Sequence, residues 1–127
     1  MPLLGSVIPL LRIFDEQKAR EFYVNFLGFK VDFEHRFGPE FPLYLGVSNS
    51  NCQLHLTEHF GDASPGAHVR IEVDDVGGFA SDLAAKCYRY AKPGKPELQP
   101  WGTIEITLTD PFANRLTYFS PSEIGRA

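Results

Sequence analysis

The sequence has few cysteines, no excess of positive charge and no long apolar run, and each shortage argues against a class of protein. Only 2 cysteines occur in 127 residues, without a Cys-x-x-Cys spacing, which does not fit a disulfide framework. With 12 Lys and Arg against 16 Asp and Glu, the net charge is −4, and this balance disfavours nucleic acid or an anionic membrane as a partner. We expect Cys52 and Cys87 to be reduced thiols of a cytoplasmic protein, with a disulfide as the alternative.

The N-terminus, MPLLGSVIPLL, is apolar but too short to span a bilayer. It has no basic leader and is interrupted by Pro2 and Pro9, so we expect neither a membrane anchor nor an export signal. The length suits a single domain over residues 1–127 with a substantial core. Aromatic residues are plentiful, with 11 Phe, 5 Tyr and 1 Trp.

One pattern of strand, Asp and amphipathic helix occurs twice. It appears as LLRIFDEQKAREFYVNFLGF from Leu10 and again as VRIEVDDVGGFASDLAAKCYRY from Val69. Asp15 and Asp75 take equivalent N-cap positions, 60 residues apart. We therefore predict two related modules, over about 7–60 and 66–120, joined by the linker GDASPG. The seam between paired modules is a place where ligands bind.

Hydrophobic periodicity predicts an α+β fold of two βαβββ modules that form a curved mixed sheet with the helices on its convex face. The predicted helices run from Asp15 to Gly28 and from Val76 to Cys87. The predicted strands are Val7–Ile13, Phe29–Phe37, Leu43–Val47, Gln53–Thr57, His68–Val73, Tyr88–Ala91, Thr103–Thr109 and Arg115–Phe119. Because the helices must cover the apolar side of the sheet, its polar side lines the remaining concavity. That side would carry Gln53, His55, Thr57, His68, Arg70, Glu72, Glu105, Thr107 and Thr117.

Three segments resemble the vicinal oxygen chelate superfamily, which contains glyoxalase I, extradiol dioxygenases, fosfomycin resistance enzymes and bleomycin resistance proteins. They are DEQKAREFYVNFLGF from Asp15, the strand and turn His68 to Val76, and QPWGTIEITLTDPFANRLTYF from Gln99. The resemblance covers essentially the whole chain. The segment QPWG and the opening SVIPLL are similar to the bleomycin resistance branch.

This resemblance implies a homodimer with two ligand clefts at its interface. In the bleomycin resistance branch two subunits exchange the N-terminal strand, and Pro9 would mark the point where that strand crosses. A position at the edge of a sheet also explains a proline within a strand, so both interpretations are open.

The resemblance also implies where a metal would be held. Enzymes of the superfamily bind a divalent ion with four side chains, which correspond here to Ile8, His55, His68 and Thr117. Ile8 has no donor atom and Thr117 offers only a neutral hydroxyl, whereas a catalytic ion normally has three protein ligands. We therefore expect no metal or other cofactor. A divalent ion held by His55 and His68 and completed by a carboxylate or a substrate oxygen is the alternative.

Seven side chains are candidates for binding a ligand. Trp101 lies in a Pro-Trp-Gly loop where few neighbours can bury it, so we predict a stacking platform, with a lid over the core as the alternative. The resemblance implies that Phe33 and Phe37 line the groove, although either could be core. It also implies that Asp32, on the opposite face of the strand from Phe33, meets a cationic part of the ligand, although an exposed strand Asp is often only solubilising. The set is completed by His55, Phe60 and Glu105.

These observations leave three functions open. The leading hypothesis is a binding protein that sequesters a planar, cationic antibiotic at a dimer interface without chemical change. The second is a metal-dependent lyase, isomerase or dioxygenase that uses His55 and His68. The third is a cleft for an unrelated metabolite, since a fold alone does not determine function.

Overall fold

The computed structural model describes residues 1–122 and builds each predicted module as a strand, a helix and three further strands. The first module contains β1 (Leu10–Arg12), α1 (Glu16–Ala19) continued by a π-helical segment (Arg20–Phe26), β2 (Lys30–His35), β3 (Tyr44–Asn49) and β4 (Cys52–Thr57). The second contains β5 (His68–Glu72), α2 (Val76–Ala85), β6 (Glu97–Leu98), β7 (Thr103–Thr109) and β8 (Arg115–Pro121).

Each module forms its own four-stranded sheet, and the two sheets have equivalent strand orders. These orders are β1-β4-β3-β2 and β5-β8-β7-β6. In each sheet the first strand runs parallel to the last, and the other neighbours are antiparallel. The predicted α+β fold of two βαβββ modules is confirmed. Because β1 and β5 each pair with one strand only, both are edge strands.

The repeated Asp caps a helix in both modules, as the sequence predicts. The Asp15 carboxylate accepts the backbone N–H of Lys18 at 2.9 Å, and that of Asp75 accepts the N–H of Gly78 at 3.0 Å. A side chain at position 78 would place its Cβ 2.5 Å from the Asp75 carboxylate, so the glycine leaves room for the cap. Gly28 follows the first helix with φ +83°, the left-handed conformation that ends many helices.

Two of the predicted strands are wrong in extent or position. The strand predicted over Val7–Ile13 is limited to β1 because Pro9 has no N–H, although its carbonyl accepts the N–H of His55 at 3.0 Å. No strand forms over Tyr88–Ala91. Tyr88 instead packs its ring against Phe26, with centroids 4.8 Å apart. The second strand of this module along the chain is β6, which lies within the segment predicted to be a loop after Ala91.

A buried hydrogen-bond network joins the first module to the turn between β7 and β8. The Tyr23 hydroxyl donates to the Asp110 carboxylate at 2.6 Å. Asp110 also accepts the N–H groups of Phe112 and Asn114 at 2.8 Å and the Asn114 amide at 2.9 Å. That amide donates in addition to the carbonyl of Arg12 at 2.8 Å. Burial, and after it Asp110, raise the pKa of Tyr23 well above its ordinary value. This network connects chain segments that are far apart in sequence.

The apolar sides of both sheets and the helices share one core. Its largest fully buried side chains include Tyr23, Phe22, Phe26, Leu45, Leu56 and Leu116. The other side of each sheet is left uncovered by helices and carries the polar and aromatic side chains described below. Cys52 and Cys87 are free thiols. Among residues 1–122, no helix has the length and apolar character needed to cross a bilayer.

Candidate ligand-binding site

The uncovered side of each sheet presents a distinct set of side chains. In the first module we call it the aromatic face, and it consists of Phe33, His35, Tyr44, Gly46 and His55. In the second module we call it the polar face, and it consists of His68, Arg70, Glu105, Thr107 and Thr117. Strand register places each set on one side, since its members lie opposite one another and alternate with the residues that point to the other side of the sheet.

The aromatic face is organised around Gly46. Phe33 lies opposite Gly46 in the β2–β3 pair, and His55 lies opposite it in the β3–β4 pair. The Phe33 ring covers the glycine, runs nearly parallel to Tyr44 at an interplanar angle of 15°, and meets His55 edge-on with centroids 5.2 Å apart. The Tyr44 hydroxyl is hydrogen-bonded to His55 Nδ1 at 2.7 Å. The result is a flat, partly exposed surface suited to stacking an aromatic ligand.

Replacing Gly46 by alanine tests whether this arrangement matters for binding. A Cβ at position 46 would lie 2.2 Å from the Phe33 ring, so the ring must leave its place. We expect Gly46→Ala to weaken ligand binding about as much as Phe33→Ala, and the double variant to be no worse than either, because all three lose the same surface. Isothermal titration with bleomycin measures this. Additive losses would contradict it.

A rim of aromatic side chains continues beyond one end of the aromatic face. Phe37 follows β2 and packs its ring between those of His35 and His59, with centroids 4.6 and 6.1 Å away. Phe60 lies in the loop after β4 and is 90% exposed. Exposed rings grouped at one edge of a groove are a feature of ligand and protein contact surfaces.

Asp32 lies where the β2–β3 pairing is irregular. The register shifts between Val31 and Phe33, so strict alternation along β2 is interrupted at this residue. The prediction that Asp32 and Phe33 lie on opposite faces depended on that alternation. Asp32 is exposed, and its nearest charged partner is Lys30 at 3.9 Å. Such irregularities often redirect a side chain beside a binding site.

The polar face is organised around Glu105. Arg70 donates to both carboxylate oxygens, at 3.3 and 2.7 Å, and its guanidinium lies 4.6 Å from the centroid of the Phe119 ring. Thr103 Oγ1 donates at 2.6 Å, and the indole N–H of Trp101 donates at 3.0 Å. The Trp101 side chain is therefore held by a hydrogen bond to Glu105, although the residue is 64% exposed. Glu105 is occupied by these donors and is not a free carboxylate.

The same donors set the pKa of Glu105. Hydrogen bonding from Arg70 lowers the pKa most, burial opposes it as the second-largest effect, and hydrogen bonds from Thr103 and Trp101 lower the pKa further, to about 2 from the ordinary 4.5. Since the pKa is lower in the folded protein than in the unfolded chain, ionised Glu105 stabilises the fold above about pH 4.5. That contribution is lost as the pH falls through about 2.

Trp101 fluorescence should report this titration, because it is the only tryptophan. We expect the emission to stay constant from neutral pH down to about pH 3 and to change with a midpoint near 2, as Glu105 becomes protonated. In Arg70→Leu the midpoint should rise toward 4.5, since the largest cause of the lowered pKa is removed. Far-UV circular dichroism at each pH separates this change from global unfolding. A wild-type midpoint near 4.5 would refute the lowered pKa of Glu105.

The donor set does not fit the four-ligand metal site of the superfamily's enzymes. His68 Nε2 is hydrogen-bonded to the Thr117 hydroxyl at 2.7 Å, and that hydroxyl also contacts Thr107 at 2.8 Å. His55 Nδ1 is engaged by Tyr44. No group of three His, Cys, Asp or Glu residues capable of holding a metal occurs within residues 1–122. Two imidazoles, an isoleucine and a buried hydroxyl are too few ligands for a divalent ion.

The predicted site residues fall into two groups. Phe33, His55 and Phe37 lie on the aromatic face or its rim, and Trp101 and Glu105 lie on the polar face. In the described chain, the ring contacts and hydrogen bonds of each group stay within its own module. Each face could therefore form one wall of a ligand cleft. The contacts within that face do not supply a second wall opposite it.

Sequence reasoning missed Tyr44, Gly46 and Thr103. Tyr44 and Gly46 alternate with the apolar Leu43, Leu45 and Val47, so period-2 alternation already places them on the uncovered side. Thr103 precedes Glu105 by two residues on the same strand and face, which is a comparable signal.

A sequence profile described as "Glyoxalase superfamily protein" matches residues 3–124. The chain belongs to the glyoxalase superfamily. The predicted resemblance is therefore confirmed at the level of the superfamily. No curated protein sequence matches the chain.

Several solved structures have a similar fold. TnmS3, an antibiotic-binding protein from Streptomyces sp. CB03234, is 25% identical, with 96% of this chain and 99% of that chain covered and a TM-score of 0.76. A bleomycin-binding protein in complex with bleomycin is 21% identical, with 94% and 100% covered and a TM-score of 0.71. The bleomycin-binding protein of Streptomyces verticillus, in complex with copper(II)-bleomycin, is 23% identical, with 97% and 100% covered and a TM-score of 0.70.

Proposed function

We propose that the protein binds a planar, cationic antibiotic of the bleomycin kind and holds it without chemical change. The observation that carries this proposal is the exposed but anchored Trp101, whose indole N–H is fixed by Glu105 while its ring remains 64% exposed. An immobilised, solvent-facing ring is a preorganised stacking surface that costs little further ordering when a ligand binds. The bleomycin-binding proteins of the same fold support the choice of ligand.

Each predicted ligand-binding residue then has a role. Trp101 stacks on the ligand from the polar face, and Phe33 and His55 contact it from the aromatic face, with Phe37 and Phe60 at the rim. Glu105 acts through Trp101, because its carboxylate is already paired with Arg70 at 2.7 Å. The carboxylate proposed to meet the cationic group is Asp32, whose only ion pair in the described chain is the long contact with Lys30. The ligand would thus be held between two aromatic surfaces beside one exposed negative charge.

We further propose that the two walls of the cleft come from different subunits of a homodimer. Residues 1–7 are exposed, and Leu4 in this segment is 99% exposed, which is unfavourable for an apolar arm unless a partner covers it. The edge strands β1 and β5 each have one unpaired side. A cavity of about 590 Å³ lies between Pro9, the β3–β4 turn and β5. These features suit an exchange of the N-terminal segment, residues 1–7, between two chains whose β1 strands stay paired with their own β4.

The dimer has a direct test. Multi-angle light scattering should give a mass near twice 14.3 kDa for the full chain. Deleting residues 1–7 should shift the mass toward that of one chain and should also remove bleomycin binding, because each cleft would lose one wall. A clean monomer of the full chain that still binds bleomycin would refute the interface site.

The proposed function is tested by titrating the protein with metal-free bleomycin, followed by Trp101 fluorescence and by calorimetry. We expect quenching with one ligand per subunit and intact bleomycin recovered by mass spectrometry. An absence of heat and quenching at tens of micromolar ligand would refute antibiotic binding. Recovery of altered bleomycin, or a stoichiometric divalent ion that is lost in a His55→Ala/His68→Ala variant, would refute binding without chemistry.

A further inference from the structure

The aromatic face contains a hydrogen bond whose direction determines what else its imidazole can bind. Tyr44 Oη and His55 Nδ1 are 2.7 Å apart. The Tyr44 ring stands at 76° to the imidazole, and the Phe33 ring stands at 87° to it, both with centroids 5.2 Å away. Two aromatic rings and one hydrogen bond thus hold His55 in a single orientation.

Either tautomer of His55 fits the 2.7 Å distance, and we assign Tyr44 as the donor because a phenol O–H is a stronger acid than the N–H of a neutral imidazole. The lone pair of an unprotonated imidazole nitrogen is also a stronger acceptor than a phenol oxygen. When Tyr44 donates to Nδ1, neutral His55 must carry its own proton on Nε2, because one nitrogen of a neutral imidazole is protonated.

The second nitrogen of His55 is available to a ligand. Within residues 1–122, Nε2 has no hydrogen-bond partner, whereas Nδ1 is engaged. His55 is half-buried, and Nε2 is not among the fully buried polar atoms that lack a partner in the described residues, so it is accessible to a ligand. An oriented N–H without a partner, set among flat rings, is complementary to an acceptor atom at the edge of an aromatic system.

We propose that the aromatic face selects flat aromatic ligands with a carbonyl or similar neutral oxygen at the ring edge, and that His55 Nε2–H donates to this oxygen. The inference rests on the proposed function, because it names the part of the ligand that this wall of the cleft recognises. Stacking on Phe33 and Tyr44 tolerates many ring systems. A directional N–H donor, by contrast, distinguishes ligands that carry an oxygen at the ring edge from ligands that do not. A ligand without the oxygen leaves the N–H facing an apolar ring and loses that hydrogen bond.

A matched pair of probes tests this proposal, namely fluorenone and fluorene carboxylates substituted at the same ring carbon. They have the same outline and charge and differ in a carbonyl against a methylene group. We expect the fluorenone to bind roughly fivefold to tenfold more tightly to the wild type, the range of one hydrogen bond. The preference should disappear in His55→Phe and persist in His55→Gln, whose amide N–H replaces Nε2–H. The control Tyr90→Phe, at an exposed residue that lies on neither face, should keep the preference.

Nitrogen-15 NMR of the histidines gives a readout that needs no ligand. We expect Nδ1 of His55 to be unprotonated and Nε2 to be protonated in the wild type, and the Nδ1 resonance to shift in Tyr44→Phe, which removes the hydrogen bond to that nitrogen. Protonated Nδ1 in the wild type, an unchanged preference in His55→Phe, or no binding of either probe would each overturn the inference. If bleomycin fails to bind but the fluorenone preference depends on His55, the antibiotic proposal fails and this inference stands.

Discussion

Replacing Trp101 by alanine is expected to weaken bleomycin binding by about 30-fold or more. A preorganised aromatic anchor at the centre of a binding site contributes on the order of 2 kcal/mol or more, which corresponds to that factor. The ring is 64% exposed in the free chain and is held by Glu105, so its removal should affect the fold little. Calorimetric titration measures the change in affinity, and urea unfolding checks that the fold is kept.

Tyr90 provides the matched control. It is similarly exposed, at 67%, but lies beside α1 and the β7–β8 turn, where it lines a separate cavity. Tyr90→Ala should therefore leave the affinity for bleomycin unchanged within about twofold. Equal losses in both variants would mean that general surface hydrophobicity, and not a specific platform, attracts the antibiotic. An unchanged affinity in Trp101→Ala would remove Trp101 from the site.

Replacing Asp110 by alanine is expected to lower the free energy of unfolding by about 3 kcal/mol or more. The buried carboxylate satisfies four donors, from Tyr23, Phe112 and Asn114, and its removal leaves them unpaired in the core at a cost of about 1–3 kcal/mol for each group that remains unsatisfied. Urea denaturation followed by circular dichroism measures the loss. Because one of these donors belongs to the first module, both modules should unfold together at the lower midpoint.

Two further variants grade this effect. Tyr23→Phe removes one donor and leaves the other three, so we expect a loss of about 1 kcal/mol. Asp82→Ala removes an exposed carboxylate on α2 and should change the stability by less than about 0.5 kcal/mol. A loss below about 1 kcal/mol in Asp110→Ala would show that water enters and satisfies the exposed donors.

Local signals in the sequence were sufficient to predict the repeated unit of strand, Asp and helix. Asp15 and Asp75 cap their helices because a short acidic side chain directly before an amphipathic helix can accept a free backbone N–H of the first turn, whatever the rest of the fold. The strand Thr103–Thr109 has the predicted bounds, since strict alternation with β-branched residues leaves little freedom. The strand predicted over Tyr88–Ala91 does not form, because the Tyr88 ring packs against Phe26 instead of joining a sheet. No local sequence pattern indicates this contact, since Phe26 is distant in the chain.

The sequence predicted the two βαβββ modules because they follow from short-range periodicity, whereas its resemblance to a known family predicted the superfamily and the positions of the metal ligands, one of which, Ile8, has no donor atom. Tertiary structure decided which hydrogen-bond partners the candidate residues have. Arg70 of β5 and Trp101 both donate to Glu105 of β7, and β3 places the Tyr44 hydroxyl 2.7 Å from His55 Nδ1. Both depend on partners from other strands, whose distance and orientation only the folded sheet determines.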